Sequence, residues 1–198
     1  MPRPKQRTPQ LREHVRGVAV DLLARDGVAG FTTRRIAEQA STSTPAVYEL
    51  FGDKRGLVRE VFFEGFRLLR EQLGRSTLTG EPRDALLSLV ASYRAFMREN
   101  PVLAEVMFSR PFTDFAPQAS ELAAGGSVRS LIVGCVRRCI EAGELAGDET
   151  DIAHVLVALV QGLASAEGSR RLGTSRASVD RRWRLAIDAT LAGFAPSD

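Results

Sequence analysis

The chain has 198 residues, a net charge of +3 and 44% hydrophobic residues, enough for one or two compact units with a buried core. It contains no uninterrupted apolar run of 18 residues, which excludes a membrane-spanning helix. Its basic start, MPRPKQRTPQLREHVR, lacks the apolar stretch of a secretory signal, so the expected compartment is the cytoplasm. Residues 1–60 hold eleven Lys/Arg against seven Asp/Glu, and the remainder holds sixteen against seventeen. The positive excess therefore lies in the first third, where it suits a partner made of phosphates or is simply a solvated basic surface.

Residues 1–9, with three prolines and three basic residues, read as a flexible arm. The arm carries Arg3, Lys5 and Arg7, which can reach DNA phosphates. The stripe Leu11, Val15, Val18, Ala19, Leu22 and Leu23 predicts a helix over 10–26, stopped by Gly27. Residues 32–57 read as two short helices joined by a tight turn, then the start of another. Thr32 caps the first, whose apolar face is Ile36, Ala37 and Ala40. Ser41-Thr42-Ser43 is the turn. Thr44-Pro45 opens the second, with Val47, Tyr48 and Phe51 at helical spacing. Gly52 ends it, and Asp53 caps the next. This is a helix-turn-helix, the unit whose second helix lies in the DNA major groove.

A fourth helix over 54–73 carries Leu57, Val58, Val61, Phe62, Phe66, Leu69 and Leu73. That stripe is longer than a 50-residue head needs, so its later half must pack on something else. Residues 74–82 form a loop. Helices follow over 83–99, 102–109, 127–142, 150–167 and 177–194, with a short helical turn near 120–124. The sequence is thus all-α, with about nine helices: an N-terminal three-helix head carrying the helix-turn-helix and a C-terminal helical bundle. The expected division is 1–53 for DNA binding and 54–198 for effector binding and dimerisation, the fourth helix bridging them. Cys135 and Cys139, one turn apart, read as small buried hydrophobes in a reducing compartment; a shared metal or an oxidised pair is the alternative.

The first 60 residues resemble the DNA-binding head of the tetracycline-repressor (TetR) family. The residues that carry the resemblance are the first-helix stripe, Thr32-Thr33-x-x-Ile36-Ala37-x-x-Ala40, and Tyr48-x-x-Phe51-x-x-Lys54-x-x-Leu57. Tyr93-Arg94-Ala95-Phe96, Glu99-Asn100-Pro101 and Val160-Gln161-Gly162-Leu163-Ala164 resemble a C-terminal subtype named for a Trp-His-Gly signature. This chain has Val157 and Gln161 where that Trp and His align. In the head, the family commonly has Ala-Gly-Val at the turn, and this chain has Ala40-Ser41-Thr42. The turn wants a left-handed residue, and serine there costs roughly 1 kcal/mol.

The N-terminus of the 33–40 helix offers free N–H groups and partial positive charge, which places Thr32, Thr33 and Arg34 to meet a phosphate. Lys54 should meet another. By resemblance, Tyr48 points its hydroxyl at the DNA backbone, the alternative being a plain core aromatic. Also by resemblance, Ser43, Thr44, Pro45 and Ala46 read bases. Thr44 can donate or accept, while the Pro45 ring and Ala46 methyl can touch a thymine methyl. The family further implies a homodimer on a palindromic operator, with recognition helices roughly 34 Å apart. Its interface would be built by the last two helices through Val155, Leu159, Leu163, Trp183, Ile187 and Leu191; the alternative is that these helices only build the monomer core. The family usually encloses a small-molecule effector in the C-terminal part. The lining candidates are Tyr93, Phe96, Met97, Met107, Phe108, Phe112 and Phe115, with Gln161 as a polar orienting group; the alternative is ordinary core packing.

The resemblance thus implies a repressor released from its operator by a small apolar effector. A second class is a DNA-binding regulator or architectural protein without an effector. For an enzyme, the sequence offers no metal cluster, Gly-rich phosphate loop or nucleophile elbow, and its two histidines are isolated. No cofactor or metal is implied, and no membrane partner.

Overall fold

The computed structural model describes residues 8–76, 80–108 and 119–196. Among them the chain forms nine α-helices and no strand: α1 Pro9–Gly30, α2 Thr33–Gln39, α3 Thr44–Phe51, α4 Lys54–Ser76, α5 Pro82–Glu99, α6 Pro101–Phe108, α7 Ala119–Glu141, α8 Glu149–Gly168 and α9 Arg176–Gly193. Polar residues start these helices where the spacing predicts. The side chains of Thr32, Ser43, Asp148 and Ser175 accept from the first free amides of α2, α3, α8 and α9, satisfying donors that have no partner inside the helix. Thr8 does the same for α1.

Two boundaries differ most from the sequence reading. Gly27, at φ 67°, breaks α1 where the stop was expected, but a further helical turn follows it to Gly30. α7 begins at Ala119 and runs unbroken through Gly125 and Gly126, where the sequence suggested a short turn and a fresh start at 127. Two glycines inside a helix cost about 1 kcal/mol each. Extending an existing helix across them avoids the unfavourable nucleation of a second one.

The chain compacts into two units. Unit 1 holds the residues up to Arg67 and those of Asn100–Ala124; unit 2 holds Leu68–Glu99 and those from Gly125 on. The cut falls inside α4, which is why its apolar stripe is longer than one unit requires.

In unit 1, α1 packs on α2 and α6, and α2 on α3. Val15, Ala19, Leu22, Leu23, Phe31, Ile36, Val47 and Leu57 are buried at its centre. α6 meets α4 where α4 has no side chain. A Cβ on Gly65 would lie 2.5 Å from Met107 Sδ and 3.2 Å from Leu103 Cδ1. The Phe66 ring lies beside those of Phe62 and Phe108, with centroids 4.9 Å and 5.7 Å away.

In unit 2, α5 packs on α8 and α8 on α9. A polar knot ties the three together. Arg94 on α5 forks onto Glu167 on α8, at 2.8 and 2.9 Å, and reaches Asp180 on α9 at 2.7 Å. The Trp183 indole donates to Glu167 at 2.7 Å, and Arg94 stacks over its ring at 4.9 Å. A forked guanidinium with every partner satisfied specifies geometry more than it stabilises.

Candidate nucleic-acid interface

The helix-turn-helix is built from short-range devices. After α2 the chain turns on Ser41, at φ 51°. The amide of Ala40 donates to Ile36 at 2.9 Å and that of Thr42 to Ala37 at 2.9 Å, so the last carbonyls of α2 are satisfied by the turn itself. Thr42 Oγ1 is buried with no hydrogen-bond partner among the described residues. α3 then starts on its Ser43 cap, which accepts from Ala46 N at 3.3 Å, and ends at Gly52, at φ 80°. Asp53 accepts from Gly56 N at 2.8 Å. That amide holds the Asp53 carboxyl below its usual range, with Arg55 nearby adding to the effect. A Cβ on Gly56 would sit 1.8 Å from the Phe51 carbonyl oxygen, so only glycine allows α4 to start so close behind α3.

The predicted DNA residues divide by exposure. Ser43, Pro45 and Tyr48 are exposed and Thr44 is half-buried. Tyr48, at 46% exposure, is not a core aromatic. Ala46 is buried at 7% on the inward face of α3, so its methyl is not offered to a base. At the start of α2, Thr32 is exposed, but its hydroxyl is engaged as the cap of Arg35 N. Thr33 is buried, which leaves its backbone N–H and not its hydroxyl for a phosphate. Arg34 is exposed and pairs with Glu38 at 2.9 Å; an exposed i, i+4 pair is weak and exchanges readily for a phosphate. Lys54 is exposed at the first position of α4.

Sequence reasoning passed over Arg12. Its guanidinium donates to the Leu50 carbonyl at the end of α3, pairs with Glu60 on α4 and lies over the Phe51 ring, 4.7 Å from the centroid. Only its place on α1, one turn before Arg16, could have pointed to it. Arg35 fastens α2 to the end of α1 in a similar way, through Asp26 and the Gly30 carbonyl.

The predicted effector residues are not gathered in one unit. Tyr93 and Phe96 are buried in unit 2, where Gln161 donates to the Tyr93 hydroxyl at 3.1 Å. Burial pushes that hydroxyl up to about 12, against the pull of the Gln161 bond. Met97 is half-buried in the same unit. Met107 and Phe108 belong to unit 1, where they pack on α4. Phe112 and Phe115, like Arg3, Lys5 and Arg7, lie outside the described residues. Beside Tyr93 the interior of unit 2 leaves a cavity of only about 10 Å³, lined by Leu86, Leu89, Ile132, Leu156 and their neighbours. A cleft of about 400 Å³ opens between α5 and α9 of unit 2, lined by Leu87, Val90, Ala91, Arg94, Trp183, Ile187 and the charged rim of α9.

The predicted dimer residues also divide. Trp183, Ile187 and Leu191 are buried within unit 2 at 4%, 4% and 1%, because their i, i+4 row is the face of α9 turned to its own core. Val155 is 45% exposed, and Leu159 and Leu163 are half-buried. Leu185, which sequence reasoning missed, is 67% exposed. It lies off the inward row of α9, and periodicity alone had already assigned the apolar face elsewhere. Cys135 and Cys139 are free and buried. Burial raises both thiols, Cys139 to about 11 with Glu144 adding to it, so neither is a ready nucleophile at neutral pH. Among the described residues no group of three His, Cys, Asp or Glu could hold a metal ion, and no helix is long and apolar enough to cross a membrane.

Comparison with known proteins adds to this geometry. Residues 17–61 match the family model described as bacterial regulatory proteins, tetR family, and residues 86–190 match the model described as tetracyclin repressor-like, C-terminal domain. Among solved structures, a protein with unknown function from Rhodococcus sp. RHA1 is 26% identical, with 98% of this chain and 100% of that chain covered and a TM-score of 0.82. A bacterial regulatory protein in the tetR family from Rhodococcus RHA1 is 20% identical over 96% and 100% of the two chains, with a TM-score of 0.70. The TetR family transcriptional regulator PfmR from Thermus thermophilus is 16% identical over 93% and 99%, with a TM-score of 0.68. The last two likenesses show the fold alone. No curated protein matches the chain.

Proposed function

The chain belongs to the TetR family of bacterial DNA-binding transcriptional regulators, and on that premise we propose that it is a repressor that grips a palindromic operator as a homodimer and lets go when a small apolar effector binds. The observation that carries the reading is the exposed set on the helix-turn-helix: Ser43, Pro45 and Tyr48 with half-buried Thr44 on α3, Arg34 on α2 and Lys54 opening α4. Phosphate contacts from Arg34, Lys54, the Tyr48 hydroxyl and the amides opening α2, including that of Thr33 beside Thr32, supply affinity. Ser43, Thr44 and Pro45 read base edges. Residues 1–53, with Lys54 at the start of the bridging α4, take the DNA-binding role, and the rest of 54–198 the effector and dimer roles. The protein works in the cytoplasm, where it catalyses no reaction of its own.

Dimerisation uses the outward rows of the last two helices. Val155, Leu159 and Leu163 on α8 and Leu185 on α9 are among the apolar side chains that unit 2 leaves wholly or partly uncovered, Val155 and Leu185 the most exposed of them. Covering such a patch is the usual purpose of a two-fold interface. The effector enters unit 2 around Tyr93, Phe96, Met97 and Gln161. The cavity beside Tyr93 holds only about 10 Å³, so a ligand of any size must part the helices, and it then binds an opened conformation better than the closed one. That difference in affinity is what a linked switch requires. A second reading places the effector in the preformed cleft between α5 and α9, whose volume already falls in the range of small-molecule sites.

Selection of duplexes from a random pool should enrich an inverted repeat, and sedimentation should show a dimer. A thermal-shift screen of apolar compounds should yield a ligand that also weakens binding to the selected duplex. Gln161→Leu abolishes its binding if the interior is the site, and Ala91→Trp if the cleft is. A screen whose every stabilising ligand leaves DNA affinity unchanged would instead support a regulator without an effector.

A further inference from the structure

The geometry points to Arg12 of α1 as the residue that positions the recognition helix. This rests on the reading that α3 is the helix that enters the DNA. α3 is eight residues long, too short to hold its own conformation, so its orientation is set by what it touches. Its N-terminal turn, Ser43 to Pro45, is the part offered outward. Its other end is held. Gly52 N donates to the Tyr48 carbonyl at 2.7 Å, and one arm of the Arg12 guanidinium donates to the Leu50 carbonyl. The same guanidinium lies over Phe51, 4.7 Å from the ring centroid, and its other arm pairs with Glu60 on α4.

One side chain thus joins three helices, with its charge at the negative end of the α3 dipole. The task needs a planar fork. A lysine ammonium can meet one oxygen, but it cannot span a carbonyl and a carboxylate while lying flat on a ring. Arg16, one turn further along α1, makes the contrast. It reaches Glu64 on α4 at 3.6 Å and Glu13 on its own helix, and so laces α1 to α4 without a bond to α3. Arg12 touches α3 six residues from Thr44, about 9 Å along the helix. It therefore acts on base reading through the helix pose and not by contact.

The test uses the full chain and two duplexes, one selected by the wild-type protein from a random pool and one scrambled, each titrated at several salt concentrations. Arg12→Met and Arg12→Lys should each lower the ratio of selected to scrambled affinity tenfold or more, leaving scrambled affinity and salt slope unchanged. Arg16→Met should leave the ratio alone. Glu60→Gln, which frees one arm of Arg12 without touching α3, should lower it severalfold, and with Arg12→Lys it decides the matter if Arg12→Met fails to fold. The assignment is overturned if Arg12→Met weakens both duplexes equally with a slope reduced by about one, a direct phosphate contact. It is also overturned if Arg16→Met matches Arg12→Met, or if no variant moves the ratio. A wild-type chain that enriches no sequence would defeat the reading of α3 itself, a separate outcome seen before any variant is made.

Discussion

The turn of the helix-turn-helix carries two costs that can be removed separately. Ser41 sits at φ 51°, where a side chain costs about 1–2 kcal/mol and glycine nothing, while glycine loses about 0.5–1 kcal/mol more entropy on folding. Ser41→Gly should therefore stabilise unit 1 by a net ~0.5–1 kcal/mol, and Ser41→Ala, which keeps the Cβ, should be close to neutral. Thr42 Oγ1 is buried without a partner among the described residues, a burden of about 1–3 kcal/mol that a methyl group of the same shape would not carry. Thr42→Val should return ~1–2 kcal/mol of it. The positions adjoin, so the double variant need not be additive. A combined ~2 kcal/mol corresponds to a rise in Tm of roughly 4–8 °C for a chain of this length. The probe must see unit 1. The single tryptophan, Trp183, lies in unit 2, so far-UV circular dichroism should be joined to hydrogen exchange at the amides of α2 and α3. If Thr42→Val is no more stable than the parent, the hydroxyl has a partner; if Ser41→Ala stabilises as much as Ser41→Gly, the backbone strain is not there.

Three further outcomes are expected. Gly56→Ala must displace the Phe51 carbonyl, 1.8 Å from the new Cβ. It should cost about 3 kcal/mol or more and abolish DNA binding, whereas Gly134→Ala, with open space at that position, should not destabilise; equal thermal midpoints for the two would contradict the clash. In gel-shift titrations over a salt series, Lys54→Ala should weaken binding to every sequence and lower the salt slope by about one, while Thr44→Ala changes preference at one base pair; identical, sequence-independent losses would remove Thr44 from base reading. Burial raises the Glu167 carboxyl, but Arg94, the Trp183 indole and Arg98 together bring it below the ordinary 4.5. With the folded value depressed, its stabilisation is present above about 4.5 and is lost as pH falls through the folded value. Trp183 fluorescence should show that Glu167→Gln flattens the acid limb of unit 2 stability, and an unchanged limb would mean the pair is not linked to folding.

Much of the molecule follows from local chemistry. Helix starts at Thr32, Ser43, Asp53 and Asp148, the stop at Gly52 and the all-α class rest on caps, left-handed residues and a 3.6-residue period, each acting within a turn or two of chain. So does the helix-turn-helix, because its turn is closed by its own amides. α7 is the local exception, since whether a helix pauses at Gly125-Gly126 depends on what it is already part of.

What periodicity cannot say is which body covers an apolar face. Tyr93 and Met107 look alike in the sequence, but the cut through α4 sends one to unit 2 and the other against Gly65 in unit 1. Trp183, Ile187 and Leu191 are expected at an interface by resemblance, with a core role as the alternative, and only the packing of α9 on its own unit buries them and leaves Leu185 outside. Ala46 and Thr33 turned inward for the same reason. Arg12 is the extreme case, a surface arginine by every local measure, whose partners lie 38 and 48 residues away. Caps, turns and period are encoded in neighbours along the chain and are legible there; burial and long-range polar contacts depend on where distant segments meet, and the tertiary structure decides them.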